Sequence, residues 1–220
     1  MTSGSFFYDF IQYLPQLLEG LKISLMITGL SLTIGVPVAL FLAFGVTAKR
    51  KALRWFCVAV VEVGRGAPAL VLLQLAYYGM PGAGITLPAL TSAVLALSWT
   101  AAGYMAEYVR GGISAVPLGE IEACQAVGMK RPDTLRFVII PQGLRIALPS
   151  LMGFAVMLFQ ATSLAYSVAV PELMSQAYSI GSSNFRYLNI LIAAGVLYAA
   201  ISIPSTWFSV LVEKRMNRHA

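Results

Sequence analysis

Apolar residues along the chain gather into five long runs, at about Leu21 to Val46, Trp55 to Met80, Ile85 to Tyr108, Ile146 to Val168 and Leu188 to Val212. A helix crosses the hydrocarbon core of a bilayer with roughly 20 apolar residues, so each run is long enough to span. The polar residues mark the ends. Lys49, Arg50, Lys51 and Arg54 follow the first run, Pro81-Gly82-Ala83-Gly84 makes a tight uncharged turn between the second and third, and Glu213-Lys214-Arg215 follows the fifth. The longest polar stretch, Arg110 to Arg145, separates the third run from the fourth. This pattern predicts an all-α polytopic membrane protein with about five transmembrane helices, forming one transmembrane domain over residues 1–220 with a cytoplasmic loop at 111–145. Phe6, Phe7, Tyr8, Phe10 and Tyr13 give residues 1–20 an aromatic, amphipathic character suited to lying on the outer interface. That segment holds no Lys or Arg to form a positive n-region, so no cleaved signal peptide is expected.

Composition supports the same class. With 58% hydrophobic residues, 11% charged residues and a mean hydropathy of +0.78, the chain leaves no room for a sizeable soluble domain. The net charge of +6 does not point to nucleic acid, because the basic residues sit at the ends of apolar runs without interleaved aromatics. It carries orientation instead. With the N-terminus outside, 12 of the 15 basic residues fall on the inner side: Lys49, Arg50, Lys51 and Arg54; Arg110, Lys130, Arg131, Arg136 and Arg145; Lys214, Arg215 and Arg218. The excess of Lys and Arg in cytoplasmic loops then selects N-out and C-in. Cys57 and Cys124 have neither metal-ligand nor redox spacing, and His219 is the one histidine, so neither a metal site nor acid–base catalysis is expected.

Within the long loop, Gly119 to Gly128 reads as a short helix stopped by glycine, and Pro132 opens a second through Phe137 that ends before Pro141. Such a helix–turn–helix serves either as a connection on the membrane surface or as a docking knob for a cytosolic partner. On the second reading the small side chains of Ala123, Cys124 and Ala126 admit close approach, and Glu122 meets a basic group. Inside the spans, Glu62 and Arg65 stand three residues apart, placed either to pair with each other or to line a path for a zwitterionic ligand. Gly66 and Pro68 beyond them are expected to bend or open that helix. Gln160, Thr162 and Ser163 near the outer end of the fourth span are further candidates for the path, or polar contacts between helices. Glu107 and Arg110 read as an interfacial pair.

Several motifs in order resemble one family. Glu122-Ala123-Cys124, Gly128 and Val138-Ile139-Ile140-Pro141-Gln142 are similar to the E-A-A, glycine and I-x-L-P pattern of permease subunits of type I ABC importers, in the polar amino-acid branch that includes histidine and glutamine permeases. Arg65 to Leu70 resembles that branch's R-G-T-P-L-L, Ala106 to Ile113 its A-E-x-x-R-G-G-I, and Thr162-Ser163-Leu164 with Pro171-Glu172-Leu173 its T-S-L and P-E-L. Cys124, Lys130, Ile140 and Gly143 depart from the usual alanine, serine, leucine and alanine, and Gln160-Ala161 stands where relatives commonly carry a lysine and an acidic residue. The resemblance implies a bacterial inner-membrane subunit for a polar amino acid or derivative, paired with a second permease subunit, identical or paralogous. It further implies two cytosolic ATPases that hold ATP and magnesium and an extracytoplasmic binding protein. Glu122, Ala123, Cys124, Gly128 and Pro141 would carry the ATPase coupling. The chain has no G-x-x-x-x-G-K-[ST] loop for nucleotide.

Overall fold

The computed structural model describes residues 6–216, so Arg218 and His219 lie outside the described residues. The chain forms α1 (Phe6–Gly45), α2 (Lys51–Gly66), α3 (Ala69–Gln74), α4 (Ala89–Ser114), α5 (Leu118–Ala126), α6 (Arg131–Thr134), α7 (Ile140–Ala161), α8 (Leu173–Asn184) and α9 (Tyr187–Met216). Among the described residues, four helical runs are long and apolar enough to cross a membrane: α1, α4, the continuous Arg131–Val168 and α9. The pair Lys51–Gly66 and Ala69–Ala83, bent by 105°, brings the number to five when it is taken as one broken span. The five-span, all-α expectation therefore holds, with different bounds.

The bend falls where the sequence placed an irregularity. Pro68 carries no N–H and pushes the residue before it out of the helical region, and Ala67 is extended at φ −81 and ψ 137. The last bond of α2 is donated by the Ala67 N–H to the Val63 carbonyl at 3.0 Å. Beyond α3 the chain widens into a π-turn at Leu75–Gly79, tightens to 3₁₀ at Met80–Ala83 and turns at Gly84 with φ +80.

Two expectations need correction. Residues 6–20 are not a separate interfacial segment but the first turns of α1, a helix of 40 residues. Phe6, Phe10, Tyr13 and Leu17 recur at helical spacing and pack against α8 and α9, so tertiary burial extends the helix outward. Nor does the second short helix end before Pro141. The chain passes from α6 through a π-turn at Leu135–Ile139 directly into α7, with Pro141 in its first turn. The wider turn accommodates the residue that cannot donate, as π-bulges beside prolines do.

Packing divides into two apolar clusters. The larger surrounds α4, where Ala93, Ala96, Ala101, Ala102 and Ala106 are buried against α1, α2 and α7. α4 and α7 cross closely because Gly112 faces Gly143, and a Cβ on Gly112 would collide with the Gly143 carbonyl oxygen. The smaller cluster joins the N-terminal half of α1 to α8 and the start of α9 through Leu17, Leu21, Leu173, Ala177 and Ile190. Asp9, 1% exposed, fastens this end: it accepts from the Arg186 guanidinium at 2.8 Å and from the Asn189 amide at 2.7 Å. The three basic residues left out of the inner-side count are thus all neutralised by acids, Lys22 by Glu19 at 2.6 Å, Arg65 by Glu62 and Glu107, and Arg186 by Asp9.

Candidate functional site

α5 is a free-standing nine-residue helix with a complete stop. Gly128 sits at φ +77, its N–H donates to the Gln125 carbonyl at 3.0 Å, and the Met129 N–H donates to the Cys124 carbonyl at 2.9 Å. That pair of bonds is the Schellman arrangement, in which glycine occupies the left-handed position at little cost. Helical spacing sorts the side chains. Glu122, Ala123 and Ala126 are exposed, and Ile121 and Met129, half-buried, line a groove beside the helix with the exposed Gln125 and Leu135. Cys124, expected on the approach surface, is buried at 7% exposure and is not on the free face. Leu118 and Val127, 74% and 77% exposed, put apolar surface at both ends of α5. The Gln142 amide donates to Glu120 at 3.1 Å, tying α5 to the first turn of α7 beside Pro141.

Glu62 and Arg65 do not form an isolated pair. The Arg65 guanidinium lies 3.8 Å from Glu62 and 3.3 Å from Glu107, and Glu107 is also gripped by Arg110 at 2.7 and 3.0 Å. Glu107 thus joins α2 to the C-terminal half of α4. The indole N–H of Trp99 adds a second tie, donating to the Val60 carbonyl at 3.0 Å. All four charged side chains keep some exposed surface. Arg65→Met is therefore expected to shift the thermal midpoint of the detergent-solubilised protein only slightly, because Glu107 keeps Arg110. Glu107→Gln should lower it more, since Arg110 then loses its partner and Arg65 keeps only Glu62 at 3.8 Å. Equal shifts would contradict a cluster centred on Glu107.

Gln160, Thr162 and Ser163 separate into two groups. Thr162 is fully buried and its hydroxyl donates to the Phe159 carbonyl at 2.7 Å, so it contacts no open space. Gln160 and Ser163 line a groove of about 640 Å³ between the end of α7, the start of α8 and α9, completed by Met174, Leu191, Tyr198 and Ser202. Ser163 also donates to the Gln160 carbonyl at 2.8 Å. Ser202, 5% exposed, has no hydrogen-bond partner for its hydroxyl among the described residues. Sequence reasoning missed Tyr198 and Ser202; the one available signal was a serine two residues before Pro204 within an apolar run.

Behind Tyr198 lies Glu172, with 0% exposure, between the fourth and fifth spans. One carboxylate oxygen accepts from the Tyr198 hydroxyl at 2.9 Å, the Ser24 hydroxyl at 3.2 Å and the Met174 N–H at 2.9 Å, and the other accepts from the Ser175 N–H at 2.8 Å. Glu172 is at once the N-cap of α8 and the joint of α1, α8 and α9. Burial pushes its carboxyl above the usual carboxylate range, and the donated hydrogen bonds pull it back. The P-E-L motif contained this residue, but nothing in the sequence showed that its partners were Ser24 and Tyr198. Among the described residues no group of His, Cys, Asp and Glu could hold a metal ion.

This fold has relatives of known class. Over 98% of the chain and 100% of the other, it matches a chain in the crystal structure of an amino acid ABC transporter with histidines, at a TM-score of 0.92 and 32% identity. It also matches a chain of the MetNI methionine ABC transporter at a TM-score of 0.65 and 21% identity, a likeness of fold alone. In sequence it is 35% identical over 93% of its length, and 91% of the relative's, to the probable amino-acid ABC transporter permease protein YckA of Bacillus subtilis. To the glutamine transport system permease protein GlnP of Escherichia coli it is 32% identical over 93% of its own length and 94% of the relative's. Residues 35–218 match the family described as binding-protein-dependent transport system inner membrane component. With that match covering most of the chain, and the five-span fold and the resemblance of the loop motif in agreement, the chain belongs to the binding-protein-dependent transport system inner membrane components, the permease subunits of ABC transporters.

Proposed function

We propose that this chain forms one half of the pathway by which an ATP-driven importer moves a polar amino acid or amino-acid derivative across a bacterial inner membrane. Its partners are a second permease subunit, identical or paralogous, two cytosolic ABC ATPases that bind ATP and magnesium, and an extracytoplasmic binding protein that delivers the ligand. The observation that carries the reading is the match over nearly the whole chain, at a TM-score of 0.92, to a chain of an amino acid ABC transporter.

The exposed face of α5, with Glu122, Ala123 and Ala126, docks into the ATPase, and Gly128, Pro141 and the Glu120–Gln142 contact pass its displacement to α7. Cys124 shapes the inner side of the same helix. Closure of the ATPases draws the two coupling helices together and rocks the spans between inward-facing and outward-facing states. The ligand follows the groove at Gln160 and Ser163. An exposed amide within an apolar span is costly against lipid, and such groups face a cavity or a partner. Thr162 holds the turn behind that groove. Glu62 and Arg65, the other candidates, hold α2 on α4 through Glu107 rather than contacting ligand.

The N-terminus is outside and the C-terminus cytoplasmic on this reading, and cysteine labelling tests it after Cys57 and Cys124 are replaced by serine. Ala83→Cys and Ser182→Cys should react with an impermeant thiol reagent on intact cells. Ala52→Cys and Asp133→Cys should react only once the membrane is opened. Labelling of Asp133→Cys from outside would overturn the orientation and, with it, the docking of α5 to a cytosolic ATPase.

A further inference from the structure

The groove between α7, α8 and α9 carries information about the ligand's side chain, on the reading above that it is the ligand's path. None of the residues that line it is charged. Its polar groups are few and neutral: the Gln160 amide, the Ser163 hydroxyl already donated to a backbone carbonyl, the Tyr198 hydroxyl already donated to Glu172, and Ser202, whose unpartnered hydroxyl is buried in the wall. The rest is apolar, including Met174, Leu191 and Ile203.

The nearest carboxylate is Glu172, and it does not offer a counter-charge. It has no exposed surface, it lies behind Tyr198, and both of its oxygens accept hydrogen bonds from groups of the chain itself. A cationic side chain would reach it only by displacing the Tyr198 hydroxyl and opening the joint of α1, α8 and α9. An anionic side chain meets no cation, because Arg65 and Arg110 are held by Glu107 on α4 and Arg186 by Asp9 at the outer end. A charge taken from water into such a place is costly unless it is paired.

We infer that the groove selects amino acids with uncharged side chains of aliphatic, thioether or amide type, the α-ammonium and α-carboxylate being met by the exposed amide of Gln160. The amide donates through nitrogen and accepts through oxygen, so this one side chain is chemically matched to both ends of a zwitterion. Met174 and Leu191 give the side chain apolar surface to lie against.

The test uses the permease–ATPase complex in proteoliposomes without the binding protein, so that protection reports on this chain and not on the delivering protein. With Cys57 and Cys124 replaced by serine, Ser163→Cys is labelled by a small hydrophilic thiol reagent in the presence of increasing methionine, glutamine, lysine or glutamate, with and without ATP. Methionine and glutamine should protect, and lysine and glutamate should need concentrations at least about tenfold higher, one decade of affinity corresponding to about 1.4 kcal/mol. Protection by lysine or glutamate at equal or lower concentration would overturn the inference and leave the groove as the path. Absence of labelling in either nucleotide state, or labelling that none of the four amino acids slows in a complex that still imports with its binding protein, would overturn the groove itself as the path. Ala199→Cys, on the α9 wall of the groove, provides the same readout if Ser163→Cys does not assemble.

Discussion

Replacing Gly128 with proline is expected to abolish ATP-driven uptake while leaving the chain inserted in the membrane. Gly128 lies at φ +77, which proline, fixed near −65°, cannot adopt. Proline also removes the N–H that donates to the Gln125 carbonyl, and the neighbouring bond from Met129 to Cys124 depends on the same turn. The end of α5 then unwinds and its exposed face loses its fixed position above α7. The spans have their own apolar clusters and none of them includes Gly128, so insertion should persist. Gly128→Ala should fall between, because alanine in the left-handed region costs about 1–2 kcal/mol and keeps the N–H. Glu122→Lys leaves the helix intact and reverses the charge of its exposed face, so it should uncouple uptake from ATP hydrolysis without lowering membrane levels. Uptake at the unaltered rate in Gly128→Pro or Glu122→Lys would show that α5 does not carry the coupling.

Removing the Glu172 carboxylate should produce the largest loss of stability. Glu172→Ala leaves the buried Ser24 hydroxyl, the half-buried Tyr198 hydroxyl and two half-buried N–H groups of α8 without their acceptor, and a fully buried donor left so costs about 1–3 kcal/mol. The loss of a helix cap accounts for about 0.5–2 kcal/mol within that total. A marginally stable protein does not tolerate several such losses at once, so the variant should purify poorly or unfold at a much lower temperature in detergent. Tyr198→Phe, which removes one donor of the four and leaves Glu172 capping α8, should give a much smaller decrease. Similar midpoints for Glu172→Ala and the unaltered protein would contradict the role of the carboxylate as the joint of α1, α8 and α9.

The parts of the fold legible in the sequence are those set by local chemistry. The crossings follow from runs of apolar residues, the bend in the second follows from Pro68 acting on Ala67, and the end of α5 follows from the freedom of Gly128 to take positive φ. Misread positions are those decided by distant partners. Pro141 marked a stop, but a π-turn accommodates it because α6 and α7 form one column. Phe6 to Gly20 has the composition of an interfacial helix, yet contacts with α8 and α9 make it the start of α1. α8 went unseen because its hydrophobic face is defined by Leu173, Ala177 and Ile180 meeting Leu17 of α1, far away in sequence, and Ile190 of the neighbouring α9. The same distance hid the candidate site. Gln160 and Ser163 could be picked out as polar residues in an apolar run, whereas Tyr198 and Ser202 gain meaning only once α9 stands beside α7. The Glu62–Arg65 spacing was correct as a helical neighbour pair, but the stronger partner, Glu107, comes from another helix.

ATP-dependent uptake by proteoliposomes is the most direct measurement of the role assigned to this chain. The chain is reconstituted with its ATPase, the binding protein is added outside, and uptake of labelled amino acid is followed alongside phosphate release. Uptake is expected to require ATP, the binding protein and this chain together, and to vanish in Gly128→Pro while the ATPase still hydrolyses ATP. Accumulation driven by this chain without ATP or an ATPase subunit would contradict its assignment as the permease half of an ATP-driven importer.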